Sequence, residues 1–110
     1  MSKTEGSKIG NYAAGLEEGV RKGQDPDDTV HHLGDDTGAA ISRAYRSGGT
    51  SDAADVIDDY LDAFNDVRKS NGLAPLTAAA SVKNFGWAFA PNGINDVEQA
   101  DVREEFLRRY

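Results

Sequence analysis

SDAADVIDDYLDAFNDVRKS, residues Ser51 to Ser70, carries a complete helix signature. Ser51 is a preferred N-cap, Asp52 and Asp55 put negative charge into the first turn, and Arg68 and Lys69 put positive charge into the last. Asn71-Gly72 then supplies a left-handed exit. At 100° per residue, Ala53, Val56, Ile57, Tyr60, Leu61, Phe64 and Val67 fall within an arc of roughly 140°. Asp52, Asp55, Asp58, Asp59, Asp62 and Asp66 occupy the opposite ~120°. One face is built for a core and the other for water or a partner.

Moving outward, turn residues cluster at Gly23 to Pro26, Ser47 to Ser51, Asn71 to Pro75 and Pro91 to Gly93, and the segments between them have helical length. Upstream, Asp25 and Pro26 open a helix to about Arg46 that turns Val30, Leu33, Ile41, Ala44 and Tyr45 inward, although Gly34 and Gly38 weaken it. Ser7 is expected to cap an earlier helix with the apolar stripe Ile9, Tyr12, Ala13, Leu16 and Val20. Downstream, Leu76 to Ala90 fits two periods: Ala79, Val82, Phe85 and Phe89 repeat as a helix does, while Phe85, Trp87 and Phe89 alternate as a strand does. Thr77 as a cap and the run Ala78 to Ala80 favour helix. Asn95 and Glu98 form a capping box for a last helix with Val102, Phe106, Leu107 and Tyr110 on its buried side. The expected fold is all-α, a compact bundle of four to five short helices forming one domain over residues 1–110, with residues 1–6 disordered.

Composition narrows the function classes. The chain has 110 residues, 19 acids against 12 bases and a net charge of -7. Nucleic acids and anionic membranes bind electropositive surfaces, so the expectation is no direct nucleic acid and no membrane. Absence of cysteine removes disulfides, thiolate zinc sites and cysteine nucleophiles. No apolar run approaches the ~18 residues of a membrane span, and the polar start MSKTEGSK lacks the apolar core of a signal peptide. A cytoplasmic location is expected, in the host cell if a phage encodes the chain.

The acidity is local. Residues 1–66 hold 14 acids and 6 bases, net -8, whereas residues 67–110 hold 5 acids and 6 bases, net +1. Asp55/Asp59, Asp58/Asp62 and Asp62/Asp66 are like charges at i, i+4, each costing a few tenths of a kcal/mol, and Glu would be the better helix former at every one. A solvated face explains charge opposite an apolar stripe. A docking surface for a basic partner also explains why short carboxylates are kept there. Carboxylates one helical turn apart stand ~5–6 Å from each other against ~3.4 Å per phosphate along a DNA strand, so one helix alone is a sparse nucleic-acid mimic. In size, acidity and helical character the chain resembles small phage or plasmid proteins that block host defence or nucleic-acid enzymes, a likeness of bulk properties that transfers no residue. Halophilic origin yields the same excess of Asp.

Other constellations are weaker. Asp27, His31 and Asp35, and likewise Asp28, His32 and Asp36, share helix faces with nitrogen and oxygen donors that suit zinc or iron. No third nitrogen ligand exists, and acids at a helix start have a capping role, so neither metal nor cofactor is expected. Residues 25–30 also lack the glycine a calcium loop needs. No nucleophile elbow, GxGxxG or P-loop spacing occurs, which argues against an enzyme. Trp87 lies in the aromatic cluster of residues 84–89, either filling the core or serving as an interface anchor.

The function expected is therefore binding: an inhibitor or adaptor that docks Asp55, Asp58, Asp59, Asp62 and Asp66, with Trp87, on a basic site of a host protein. The rival is an assembly subunit, of a virion or another complex, packing through the Trp87 region, with homodimerisation as one form of it. Isothermal titration with zinc, manganese or calcium is expected to show no tight stoichiometric binding. Submicromolar affinity lost in His31→Ala or His32→Ala would restore the metal reading.

Overall fold

The computed structural model describes residues 5–23, 27–86, 89 and 93–110, and of residues 27–32 only the backbone. Four helical elements follow in order: α1 (Glu5–Arg21), α2 (Asp27–Ser70), α3 (Ala78–Phe85) and α4 (Asp96–Arg108). The described residues are mostly helical with no strand among them, so the all-α expectation holds. The radius of gyration, 13.3 Å, is that of a compact chain of this length, for which ~13 Å is typical.

α2 is two helices bent at one residue. Gly49 has φ 79° and ψ -157°, backbone that a side chain rarely tolerates, and the helical ladder resumes immediately after it. This places the break two residues before the expected N-cap, so Ser51 is inside the helix and its hydroxyl is used elsewhere. Before the bend, Gly34 and Gly38 do not interrupt the helix, as the single-helix reading anticipated. At the far end Gly72 (φ 80°) closes a Schellman exit: the Leu73 N–H donates to Arg68 O at 2.9 Å and the Gly72 N–H to Lys69 O at 3.0 Å.

The half of α2 after Gly49 is the centre of the core. Ala53, Val56, Ile57, Tyr60, Leu61 and Phe64 of the apolar arc are buried and Val67 is half-buried, and Ala54, outside the arc, is buried as well. Tyr60 stands between Phe64, Phe85 and Phe89, with ring centroids 6.3, 5.3 and 5.3 Å away, the last two edge-on as aromatic quadrupoles prefer. This arrangement commits α3 to the core. The helix over 78–85 resolves the helix-or-strand ambiguity there: Thr77 caps it by accepting from the Ala80 N–H at 3.1 Å. Its buried face runs through Ala78 and Ser81, with Val82 and Phe85 beside them, and Ala79 is exposed instead. Asn65 clamps the approach to α3, donating to Leu76 O at 2.9 Å and accepting from the Leu76 N–H at 2.8 Å.

α1 corrects the sequence reading twice. Residues 5 and 6, expected to be disordered, are helical, so Ser7 lies inside the helix rather than capping it; residues 1–4 lie outside the described residues. Ala13 of the expected stripe is buried and Ile9 and Leu16 pack against the core, but Tyr12 and Val20 are exposed, and the buried positions are Gly6, Gly10, Ala13 and Ala14. Small residues win because they let the backbones close up: a Cβ at Gly10 would overlap the carbonyl oxygen of Tyr60.

α4 starts as expected, with both arms of the capping box formed: Glu98 N–H to Asn95 Oδ1 at 2.8 Å and Asn95 N–H to Glu98 Oε1 at 2.9 Å. Val102 and Phe106 are fully buried. Leu107 and Tyr110, expected on that side, are 38% and 66% exposed: Tyr110 lies past the last residue of α4, where its ring rests on Phe106, and Leu107 is turned a further ~100° from Phe106 around the helix.

Two alanine substitutions separate packing from propensity. Gly10→Ala should cost roughly 1–3 kcal/mol by forcing α1 away from Tyr60, whereas Gly15→Ala, which meets open space, should gain about 0.5–1 kcal/mol. Urea denaturation reads both, and equal effects would refute the close packing. In the core, Leu61→Ala should cost roughly 2–5 kcal/mol, and a loss below ~1 kcal/mol would place Leu61 at the surface.

Candidate functional site

The acidic face lies outside the half of α2 that carries the core, and its carboxylates have different surroundings. Asp52 folds back over the bend, where its carboxylate fills the space a Cβ at Gly48 would take. Asp66 is exposed, at the end nearer the Schellman exit. Asp59 is half-buried and Asp62 exposed, and both interact within the protein.

Asp55 and Asp58 are joined by a side chain that the sequence reading did not single out. Arg109, at the C-cap of α4, donates from Nη1 to Asp55 Oδ1 at 2.8 Å and to Asp58 Oδ2, and from Nε to Glu105 Oε2 at 3.2 Å. Its Nη2 reaches Ser51, the carbonyl at 3.2 Å and the hydroxyl at 3.3 Å. Ser51 thus serves as an acceptor for this guanidinium. Beside it the Tyr110 hydroxyl donates to Asp58 Oδ1 at 2.7 Å, and the Tyr110 ring rests edge-on against buried Phe106 at 5.4 Å. The Asp58 side chain is consequently only 19% exposed, against 51% for Asp55. Both Arg109 and Tyr110 are docked by one element, since Phe106 anchors the last turn of α4 against the core.

The electrostatics follow from this arrangement. Burial works against the Arg109 charge, but the hydrogen bonds to Asp58, Asp55 and Glu105 outweigh it and hold the guanidinium protonated still more firmly. Desolvation of the Tyr110 hydroxyl, its bond to Asp58 and the nearby Asp58 and Asp62 charges push that phenol above its ordinary range, with Arg109 opposing. In the core, burial and then the Glu17 charge push Tyr60 up as well, and its hydroxyl has no hydrogen-bond partner among the described residues.

The remaining candidates do not come together as a site. Trp87 lies outside the described residues, as do the side chains of His31 and His32. Among the described residues no group of three or more His, Asp or Glu side chains is placed to hold a metal ion, and no helix is long and apolar enough to cross a membrane. A groove of about 590 Å³ between α1 and α2 has an apolar floor of Ile9, Tyr12 and Ala39 under Glu5, Lys8, Asp36 and Arg43, where Arg43 is paired with Glu5.

Sequence reasoning placed the Asp face and missed Arg109, Tyr110 and the new role of Ser51. The one available signal was the charge split, with a slightly basic second half following an acidic first half. The chain matches no family model, no curated protein and no solved structure in comparisons with each.

The phenols of Tyr45, Tyr60 and Tyr110 are all raised, and the two with the larger shifts, Tyr60 and Tyr110, make stability fall at alkaline pH. A phenol whose pKa is raised on folding holds its proton more tightly in the native state, so its contribution is complete below the ordinary value of about 10 and is lost as pH rises beyond it. Thermal melts at pH 8 and at about pH 10.5 should show this loss, and Tyr60→Phe should reduce it. At neutral pH the same variant should be neutral or gain up to ~1 kcal/mol, since it removes a buried hydroxyl without a partner. An alkaline loss unchanged in Tyr60→Phe would contradict the assignment.

Proposed function

We propose that the chain is a protein-interaction module, an inhibitor or adaptor whose acidic face on α2 docks on a basic surface of another protein. The observation that supports this reading is the guanidinium of Arg109 seated across Asp55 and Asp58, a pairing of the kind a partner's arginine would make with this face. Support comes also from the division of labour along α2: the buried side holds the core, and on the other side the Asp55 side chain is half-exposed and Asp66 exposed. A net charge of -7, with its excess in residues 1–66, speeds encounter with cationic surfaces by long-range steering. Imitation of nucleic-acid phosphates and a role against host defence are the finer forms of the same proposal. Chemistry on a substrate is not part of it.

A charge-matched pair of variants tests the proposal. Asp62→Lys with Asp66→Lys reverses two carboxylates on the face, and Asp35→Lys with Asp36→Lys makes the same change in net charge on exposed positions of α2 before the bend. Binding to an arginine-rich peptide of about ten residues, followed by fluorescence anisotropy at low salt, should weaken at least ~10-fold more in the first variant than in the second. Equal losses would reduce the face to diffuse surface charge and sink the proposal.

A further inference from the structure

We infer that Arg109 and Tyr110 form an intramolecular strap that occupies the Asp55/Asp58 end of the acidic face and must be displaced before a basic partner can engage those carboxylates. The inference rests on the docking reading above and adds its regulation.

The contact has the chemistry of a ligand bound to a surface. One guanidinium bridges carboxylates on successive turns of α2 and takes the carbonyl and hydroxyl of Ser51, which gives a planar fork several acceptors at once. A tyrosine hydroxyl takes the second oxygen of Asp58. An arginine and an aromatic side by side are the residue types most enriched at protein interfaces, so the strap presents the acidic face with what a partner would present.

The strap is built to leave. Its anchor, Phe106, is fully buried, but Arg109 lies past the last residue of α4 and Tyr110 is 66% exposed. The Arg109 and Asp58 side chains are only 25% and 19% exposed, so this pair is the firm part of the strap, whereas the Asp55 carboxylate, at 51%, is open to a competing cation and to salt. Because the contacts are made beyond α4, their exchange for those of a partner requires no unfolding of the core. Arg108, its neighbour, points elsewhere: its side chain is 72% exposed and pairs with Glu105 alone among the described residues. The two adjacent arginines therefore carry the same charge and differ in whether they cover the face, which makes one the control for the other.

The test uses the full chain and the same arginine-rich peptide. Arg109→Ala should bind the peptide ~5- to 50-fold more tightly than Arg108→Ala, although both variants change the net charge equally. Tyr110→Phe, which changes no charge, should bind more tightly than the parent by a smaller factor. In the parent, NMR of the Arg109 Nε–H should show that resonance moving toward its solvent-exposed position as peptide is added. Equal affinities of the two alanine variants would overturn the strap and leave the docking proposal standing. Weaker binding by Arg109→Ala together with a lowered Tm would also overturn it, by making Arg109 a structural staple. If neither the parent nor any variant binds the peptide, the docking reading fails and the strap has nothing to regulate.

Discussion

The backbone contact between Gly10 and the Tyr60 carbonyl sets the geometry on which the other elements depend. With no side chain between them, α1 lies directly on the second half of α2, which fixes the roll of that helix about its own axis. The roll aims Tyr60 at Phe64, Phe85 and Phe89, and so determines where α3 must pack. It also turns the carboxylates of residues 55–66 away from the core. A helix rotated by one residue, ~100°, would bury aspartates and expose Tyr60. Glu17 of α1 reinforces the contact through its ion pair with Arg68 at 2.7 Å, whose guanidinium also lies 5.9 Å over the Phe64 ring.

The bend at Gly49 has a second consequence. It directs the two halves of α2 along different lines, and α4 packs beside the bend with the Tyr45 hydroxyl hydrogen-bonded to Glu98. From there the last turn of α4 reaches Ser51, Asp55 and Asp58. The acids of α2 repel one another along the helix, and Arg109 offsets the repulsion at Asp55 and Asp58. Each pair alone would contribute little at this exposure. Three carboxylates sharing one guanidinium behave as a network, whose members hold each other's rotamers.

Much of the fold was legible because several local signals agreed. In residues 51–70 the charge placement, the apolar arc and the glycine exit all pointed to one helix, and the structure has it. The capping box at Asn95 and Glu98 and the cap at Thr77 were equally local. What escaped was set by distant neighbours. Of the expected stripe on α1, Ala13 is buried and Ile9 and Leu16 pack against the core, but Tyr12 and Val20 are exposed. The most buried positions shift to Gly6, Gly10, Ala13 and Ala14 because a second backbone lies there, which periodicity, counting bulk rather than closeness, does not see. Ser51 had every attribute of an N-cap, but Gly49 accepts a conformation that serine resists, so the break moved to the glycine. For the candidate site, the Asp face was visible as a pattern, while Arg109 and Tyr110 are over 50 positions from Asp55 and Asp58 in the chain and no local rule connects them.

A face of aspartates on a central helix is a local conflict that the rest of the sequence accommodates without removing it. Glu or Lys at alternate positions would give a better helix and relieve the repulsion at i, i+4. Arg109 relieves it at one end, from a turn that can separate from the face while Phe106 stays in the core. The farther end, at Asp66, remains exposed. The chain thus departs from its own best local choice along this face and compensates for it from outside the helix, a departure that the proposed docking role would account for. The face is covered in a graded way, nearly closed at Asp58, whose side chain is 19% exposed, and open at Asp66. Under the docking proposal, a cation would therefore meet the open end first, and the seat that Arg109 holds would be the last part of the face it reaches.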